Sequence, residues 1–99
     1  MRRAAKIDAN QNEIVAALRQ IGASVEILSA VGKGCPDILV GYKGRNYLLE
    51  IKDGEKSPSK QKLTKDQVTW HGQWRGHAEV VNTVDKALEA ITIRSLYND

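Results

Sequence analysis

Pro36-Asp37-Ile38-Leu39-Val40, followed thirteen residues after Asp37 by Glu50-Ile51-Lys52, is the stretch whose reading decides the fold. Tyr47-Leu48-Leu49-Glu50-Ile51-Lys52 is rich in aromatic and aliphatic residues and reads as a β-strand. Successive strand side chains point to opposite faces, so Glu50 and Lys52 share one face while Tyr47, Leu49 and Ile51 share the other. Residues 37–42 form the preceding strand, and Pro36 opens it where a missing N–H does little harm. Lys43-Gly44-Arg45-Asn46 joins the two. A two-residue loop Gly44-Arg45 with glycine first suits a type II′ hairpin turn. That turn pairs Leu39 with Glu50 and Asp37 with Lys52. Asp37 then lies diagonal to Glu50 on the same face, roughly 7–8 Å away. A three-residue loop would slip the register by one and turn Asp37 to the wrong face.

Two carboxylates at that spacing can converge on one oxygen-liganded cation such as Mg²⁺ or Mn²⁺, with an ammonium beside it. The plainer alternative is a surface hairpin with a cross-strand Asp–Lys pair worth about 0.2–1 kcal/mol. Asp37 and Glu50 stand inside apolar runs, where an unpaired carboxylate is costly to bury, and this favours the first reading.

The rest of the chain frames the hairpin. Asp8 or Asn10 caps a first helix running to about Ile21, with Ile14, Val15, Leu18 and Ile21 as its apolar stripe and Gly22 as its stop. Residues 25–28 read as a short strand. Residues 29–35 form a loop whose Gly32-Lys33-Gly34 lacks the spacing of a phosphate-binding P-loop. Residues 53–62 form a polar loop carrying Lys56, Lys60 and Lys62. A second helix covers 64–75 and ends at Gly76, Val80-Val81 centre a last strand, and Thr83 caps a last helix to about Tyr97. That helix places Val84, Leu88, Ile91 and Ser95 on one face. The order α-β-β-β-α-β-α predicts an α/β sandwich with a central mixed sheet.

Ninety-nine residues favour one domain over 1–99, small enough to gain stability by oligomerising. A net charge of +3 is compatible with a nucleic-acid partner. The single cysteine, Cys35, excludes an internal disulfide and suits a reducing, intracellular setting. Met1-Arg2-Arg3 is followed by no apolar segment of a signal peptide, and no apolar run approaches the ~18 residues of a membrane span.

Two further polar residues carry two readings each. Glu13 lies at the margin of the first helix's stripe and could reach the acidic face, yet Asn10-x-x-Glu13 is also a capping box. Gln67 shares the ambiguity, because Thr64-x-x-Gln67 has the same form. His71 and His77 lack a metal-ligating partner at useful spacing and read as structural or exposed. Trp70 and Trp74, one turn apart, read as core or interface rather than as a platform for bases.

Together, Glu13, Gly34-x-Pro36-Asp37, Glu50-x-Lys52 and Gln67 resemble the ordered motif of the PD-(D/E)XK nuclease superfamily. Gly34-Cys35-Pro36-Asp37-Ile38-Leu39-Val40 and Leu63-Thr64-x-x-Gln67 resemble its virus-type replication–repair nuclease (VRR-Nuc) branch, stand-alone members of which occur in phages. The resemblance covers residues 12–81 and implies a restriction-endonuclease-like fold. It also implies a Mg²⁺- or Mn²⁺-dependent DNA endonuclease, resolving four-way (Holliday) junctions as a homodimer, in the bacterial cytoplasm if phage-encoded.

The same resemblance assigns roles. Asp37, Glu50 and the backbone carbonyl of Ile51 would bind the metal, with Glu13 completing the set directly or through water. Lys52 would position the attacking water and stabilise charge on the phosphate, and Gln67 would orient Lys52 or the substrate. Lys33, Lys56, Lys60, Lys62 and Lys65 are candidates for phosphate contacts, or equally for ordinary solubilising lysines. The alternatives are a less selective nuclease of flaps or single strands, or a branched-DNA-binding protein without catalysis.

Overall fold

The structure, a computed structural model, describes residues 8–97, with side chains through residue 93. The basic segment at residues 1–3 and the side chain of Ser95 lie outside the described residues.

Three helices and four strands follow in the order expected: α1 (Gln11–Gln20), β1 (Ser24–Ile27), β2 (Ile38–Tyr42), β3 (Arg45–Ile51), α2 (Lys65–Gln73), β4 (Ala78–Val81) and α3 (Val84–Tyr97). The four strands form one sheet in the order β1-β2-β3-β4. The first three run antiparallel to their neighbours, and β4 is parallel to β3, so the sheet is mixed. Among the described residues no helix is long and apolar enough to cross a membrane.

The alternation read in the sequence holds. Ile38, Val40, Tyr47, Leu49 and Ile51 are buried with Val25 and Val81 on one face of the sheet, which α1 and α3 cover. Helix α1 contributes Ile14, Val15 and Leu18, and α3 contributes Ala87, Ala90 and Ile91. Ile21 does not join them: it lies past the last helical turn and is 40% exposed. Helix α2 belongs to the other face and buries no residue. Trp70 is half-buried and Trp74 exposed, so of the two expectations, core or interface, the core is ruled out for both.

The hairpin turn differs from the type II′ expectation. Lys43 and Gly44 are its two central residues, with φ of 49° and 80°, the signature of a type I′ turn. The register is therefore Ile38 opposite Leu49 and Tyr42 opposite Arg45. This is a slip of two residues from the expected pairing, not one. An even slip leaves every side chain on its face. Its effect is to bring Asp37 level with Glu50, where the expected register set it level with Lys52.

The loop after β3 is held at several points. A 3₁₀ turn spans Pro58–Gln61. The Gln61 side-chain amide donates to the carbonyl of Lys56 at 2.6 Å, and Asn82 donates to Gln61 Oε1 at 2.8 Å. Lys56 and Lys60 thus project from an anchored segment.

Candidate active site

Four side chains, Asp37, Glu50, Lys52 and Gln67, converge where β2 begins, β3 ends and α2 begins. Glu50 is 2% exposed and Lys52 8% exposed, both unusual burials for charged residues. Asp37, just before β2, accepts a 2.7 Å hydrogen bond at Oδ2 from the backbone N–H of Ile51. The Glu50 and Asp37 carboxyl groups lie within hydrogen-bonding reach of each other. Burial, and then the neighbouring Asp37 carboxyl, push Glu50 up to about 9, against a smaller opposing pull from Lys52. Glu50 Oε1 is buried with no donor. A shared proton or a cation is what such an arrangement calls for.

Gln67 resolves its two readings by doing both. The Thr64 hydroxyl accepts from the Gln67 N–H at 3.3 Å, and Gln67 Oε1 accepts from the Thr64 N–H at 2.9 Å, which closes a capping box. The same Oε1 accepts from Lys52 Nζ at 2.7 Å, while Gln67 Nε2 donates to Glu50 Oε2 at 3.1 Å. The cap fixes the amide, and the amide then spaces the ammonium from the carboxylate. Gly34, with φ of +84°, allows this approach: a Cβ there would strike the Asp66 carbonyl in the first turn of α2.

Glu13 is not part of this group. It is exposed and lines a cleft of about 320 Å³ with Asp53, Glu55 and Thr83, a cleft to which none of Asp37, Glu50, Lys52 and Gln67 contributes. The Asn10–Glu13 cap is absent too. The Asn10 side chain makes no cap bond and donates instead to the carbonyls of Lys52 and Asn82, at 3.1 and 3.2 Å. That tether fixes the start of α1 beside the end of β3. It brings in Asp8, whose charge adds to the upward push on Glu50. Asp8 entered the sequence reading only as a cap. Gln11, 1% exposed with a buried donorless Oε1, was not singled out, although at spacings of 3, 4 and 7 it continues the stripe of Ile14, Val15 and Leu18.

Lys33, Lys56, Lys60, Lys62 and Lys65 are all exposed. Lys65 opens α2, two residues before Gln67. His71 lies within electrostatic reach of Lys52, which together with burial lowers its pKa, burial being the larger effect. His77 is exposed and meets Glu79 at 3.5 Å. Cys35 is a free cysteine whose thiol is pushed up by burial and by Glu50 and Asp37.

These donors fit a hard, oxygen-liganded cation of the Mg²⁺ class. Among the described residues no three His, Cys, Asp or Glu side chains are grouped as a metal site. Mg²⁺ is commonly held by one or two carboxylates, keeping several waters and adding substrate phosphates. Asp37 and Glu50 supply that number, and the donorless Oε1 supplies a buried lone pair.

No family model matches the chain, and no curated protein matches it. A solved structure described as a VRR_NUC domain matches with a TM-score of 0.60 and 22% identity, over 85% of this chain and 96% of that one. The chain thus has the fold of a VRR-Nuc domain, an α/β fold of the restriction-endonuclease-like type.

Proposed function

We propose that the chain is a Mg²⁺- or Mn²⁺-dependent DNA endonuclease that hydrolyses phosphodiester bonds at branched DNA, four-way junctions above all. The observation that carries this reading is the buried Glu50 carboxyl against Asp37, with Lys52 held beside it by Gln67. A buried cluster of this kind contributes little to stability, because desolvating its charges offsets their attraction. Its position at the sheet's open face suits a phosphate group. The VRR-Nuc fold supports the same reading.

In this mechanism Asp37 and Glu50 hold the cation, and Ile51 adds its backbone carbonyl. Lys52 N–H bonds to the carbonyl of Val81 in β4, so the N–H and C=O of Ile51 point the other way, toward Asp37. When bound, the cation lowers the pKa of a water and neutralises charge on the phosphate. Lys52 donates to a non-bridging phosphate oxygen and stabilises the charge that builds as water attacks phosphorus and the P–O bond to the leaving group breaks. Gln67 positions Lys52. Asp8 takes the flanking place that the motif reading gave to Glu13, acting through water. The exposed lysines at 33, 56, 60, 62 and 65 contact phosphates.

For junctions, two copies related by a two-fold axis would present two such centres to symmetry-related strands. The chain would act inside the cell, where such substrates are found.

The test is cleavage of a labelled four-way junction, a flap and a linear duplex of matched sequence, with Mg²⁺, Mn²⁺ or EDTA. Paired symmetric nicks in the junction, only with metal, support the full reading. Metal-dependent cutting of flaps alone leaves a nuclease and removes the resolvase. Junction binding without cutting under any divalent ion overturns the nuclease reading in favour of a binding protein.

A further inference from the structure

We propose that the stripe of α2 running from Gln67 through Trp70 to Trp74 is a stacking platform for unpaired bases next to the scissile phosphate, so that the centre acts where a duplex is open. This rests on the nuclease reading and adds to it the state of the strand that enters the site.

The chain's two tryptophans, Trp70 and Trp74, stack on each other with ring centroids 4.7 Å apart and planes 16° from parallel. His71 meets Trp70 edge-on at 5.3 Å. Trp74 is 46% exposed, Trp70 is half-buried, and no residue of α2 is fully buried. Indoles are large apolar groups that folding normally buries, and here Trp74 stays exposed and Trp70 only half-buried.

Their place gives that surface a use. Gln67, Trp70 with His71, and Trp74 recur at spacings of 3, 4 and 7, and therefore share one stripe of the helix. Gln67 heads the stripe and holds both Glu50 and Lys52. His71, one turn on, lies within the field of Lys52. The indoles thus begin about 5 Å and end about 10 Å along the helix from the centre. That is the span of about two or three stacked nucleotides.

Charge selects the occupant. Residues 62–75 carry Lys62, Lys65 and Arg75 against one carboxylate, Asp66. A second copy of α2 packed on this one would set Lys62, Lys65 and Arg75 against the same three cations. A polyanion with aromatic faces meets both the cations and the indoles. Every base has such a face, and paired bases keep theirs inside the duplex, so the platform selects unpaired nucleotides.

Because Trp70 and Trp74 are the chain's entire tryptophan content, tryptophan emission, excited at the red edge where the three tyrosines do not absorb, reports on the platform alone. The experiment titrates the protein in EDTA with a labelled oligothymidylate and with a blunt hairpin duplex of equal length. Anisotropy of the label reads binding, and tryptophan emission reads stacking. The expected result is quenching by the single strand, tighter binding of it than of the duplex, about tenfold loss in Trp74→Ala, and near-complete retention in Trp74→Phe. Unchanged emission at saturation overturns the proposal, as does equal affinity of Trp74→Ala and wild type. An emission change with protein concentration alone, tracking a dimer by sedimentation, also overturns it, because a second copy would then cover α2. Mg²⁺-dependent cleavage is scored separately. Quenching without cleavage removes the nuclease and keeps the platform; cleavage without quenching does the reverse.

Discussion

At the scale of single residues, Glu50 carries the most consequence. Its carboxyl is raised from 4.5 to about 9 by burial and by Asp37. The folded, metal-free protein therefore holds a proton that the unfolded chain releases above about 4.5. This group's contribution to stability is fully present below pH 4.5 and is lost as pH rises toward 9. In EDTA the melting temperature should fall across that window, and Glu50→Gln should flatten the fall. An equal slope in the variant would refute the assignment. Metal binding displaces the same proton, so affinity for Mg²⁺ should rise with pH. Lys52 has a different part. Lys52→Met should retain Mn²⁺ binding and lose cleavage by about 10²–10³-fold, the effect of removing one donor to the developing charge. Calorimetric titration with Mn²⁺ beside a cleavage assay separates the two effects, and lost metal binding would assign Lys52 to holding the cluster together.

At the scale of elements, the hairpin and the cap of α2 build the site, and they differ in how far the sequence disclosed them. The faces of β2 and β3 were legible, because alternation of Tyr47, Leu49 and Ile51 with Glu50 fixes β3 and an even slip of register leaves β2 on the same face. The turn was not, because Lys43-Gly44 and Gly44-Arg45 are both two-residue loops containing glycine. The structure places Lys43 at φ 49°, a conformation that lysine seldom adopts. Gln67 was legible as a cap. Its second set of bonds depends on packing between α2 and the sheet, and local spacing says nothing of that. Asn10 anchors the start of α1, so that Asp8 acts on Glu50 while Glu13 lines the cleft beside Asp53, a placement that local spacing does not disclose. Trp70 and Trp74 read as core or interface because apolar residues at helical spacing usually face a partner surface, and burial removes only the core half of that reading. Gly34 gives this scale its prediction. Gly34→Ala combines a positive φ with a clash against the first turn of α2. It should cost about 1–3 kcal/mol, read as a fall of about 4–8 °C per kcal/mol in melting temperature, and should lower cleavage by displacing Gln67. Unchanged melting and activity would mean that α2 does not depend on this approach.

At the scale of the molecule, one face of the sheet carries the apolar core and the other the group of Asp37 with the buried Glu50 and Lys52. Helices α1 and α3 close the apolar face, while α2 lies against the acidic face and buries no residue of its own. Exposed lysines on the loops around that face spread positive charge over a surface wider than the centre itself. Replacing Lys56, Lys60, Lys62 and Lys65 together by serine should weaken binding of every DNA form similarly. The slope of log affinity against log salt should shrink by about 0.9 for each duplex phosphate contact removed. An unchanged slope would return these residues to the role of solubilising charges.

The most direct test of the central claim, that Asp37 and Glu50 form a metal-dependent cleavage centre, is the single-turnover rate of junction cleavage in Mg²⁺ by wild type and by Glu50→Gln, with both proteins shown folded by their melting curves. The account predicts cleavage by the wild type that EDTA abolishes, and loss of cleavage in the variant despite equal or higher stability at neutral pH. Cleavage by Glu50→Gln at the wild-type rate, or wild-type cleavage that survives EDTA, would contradict it.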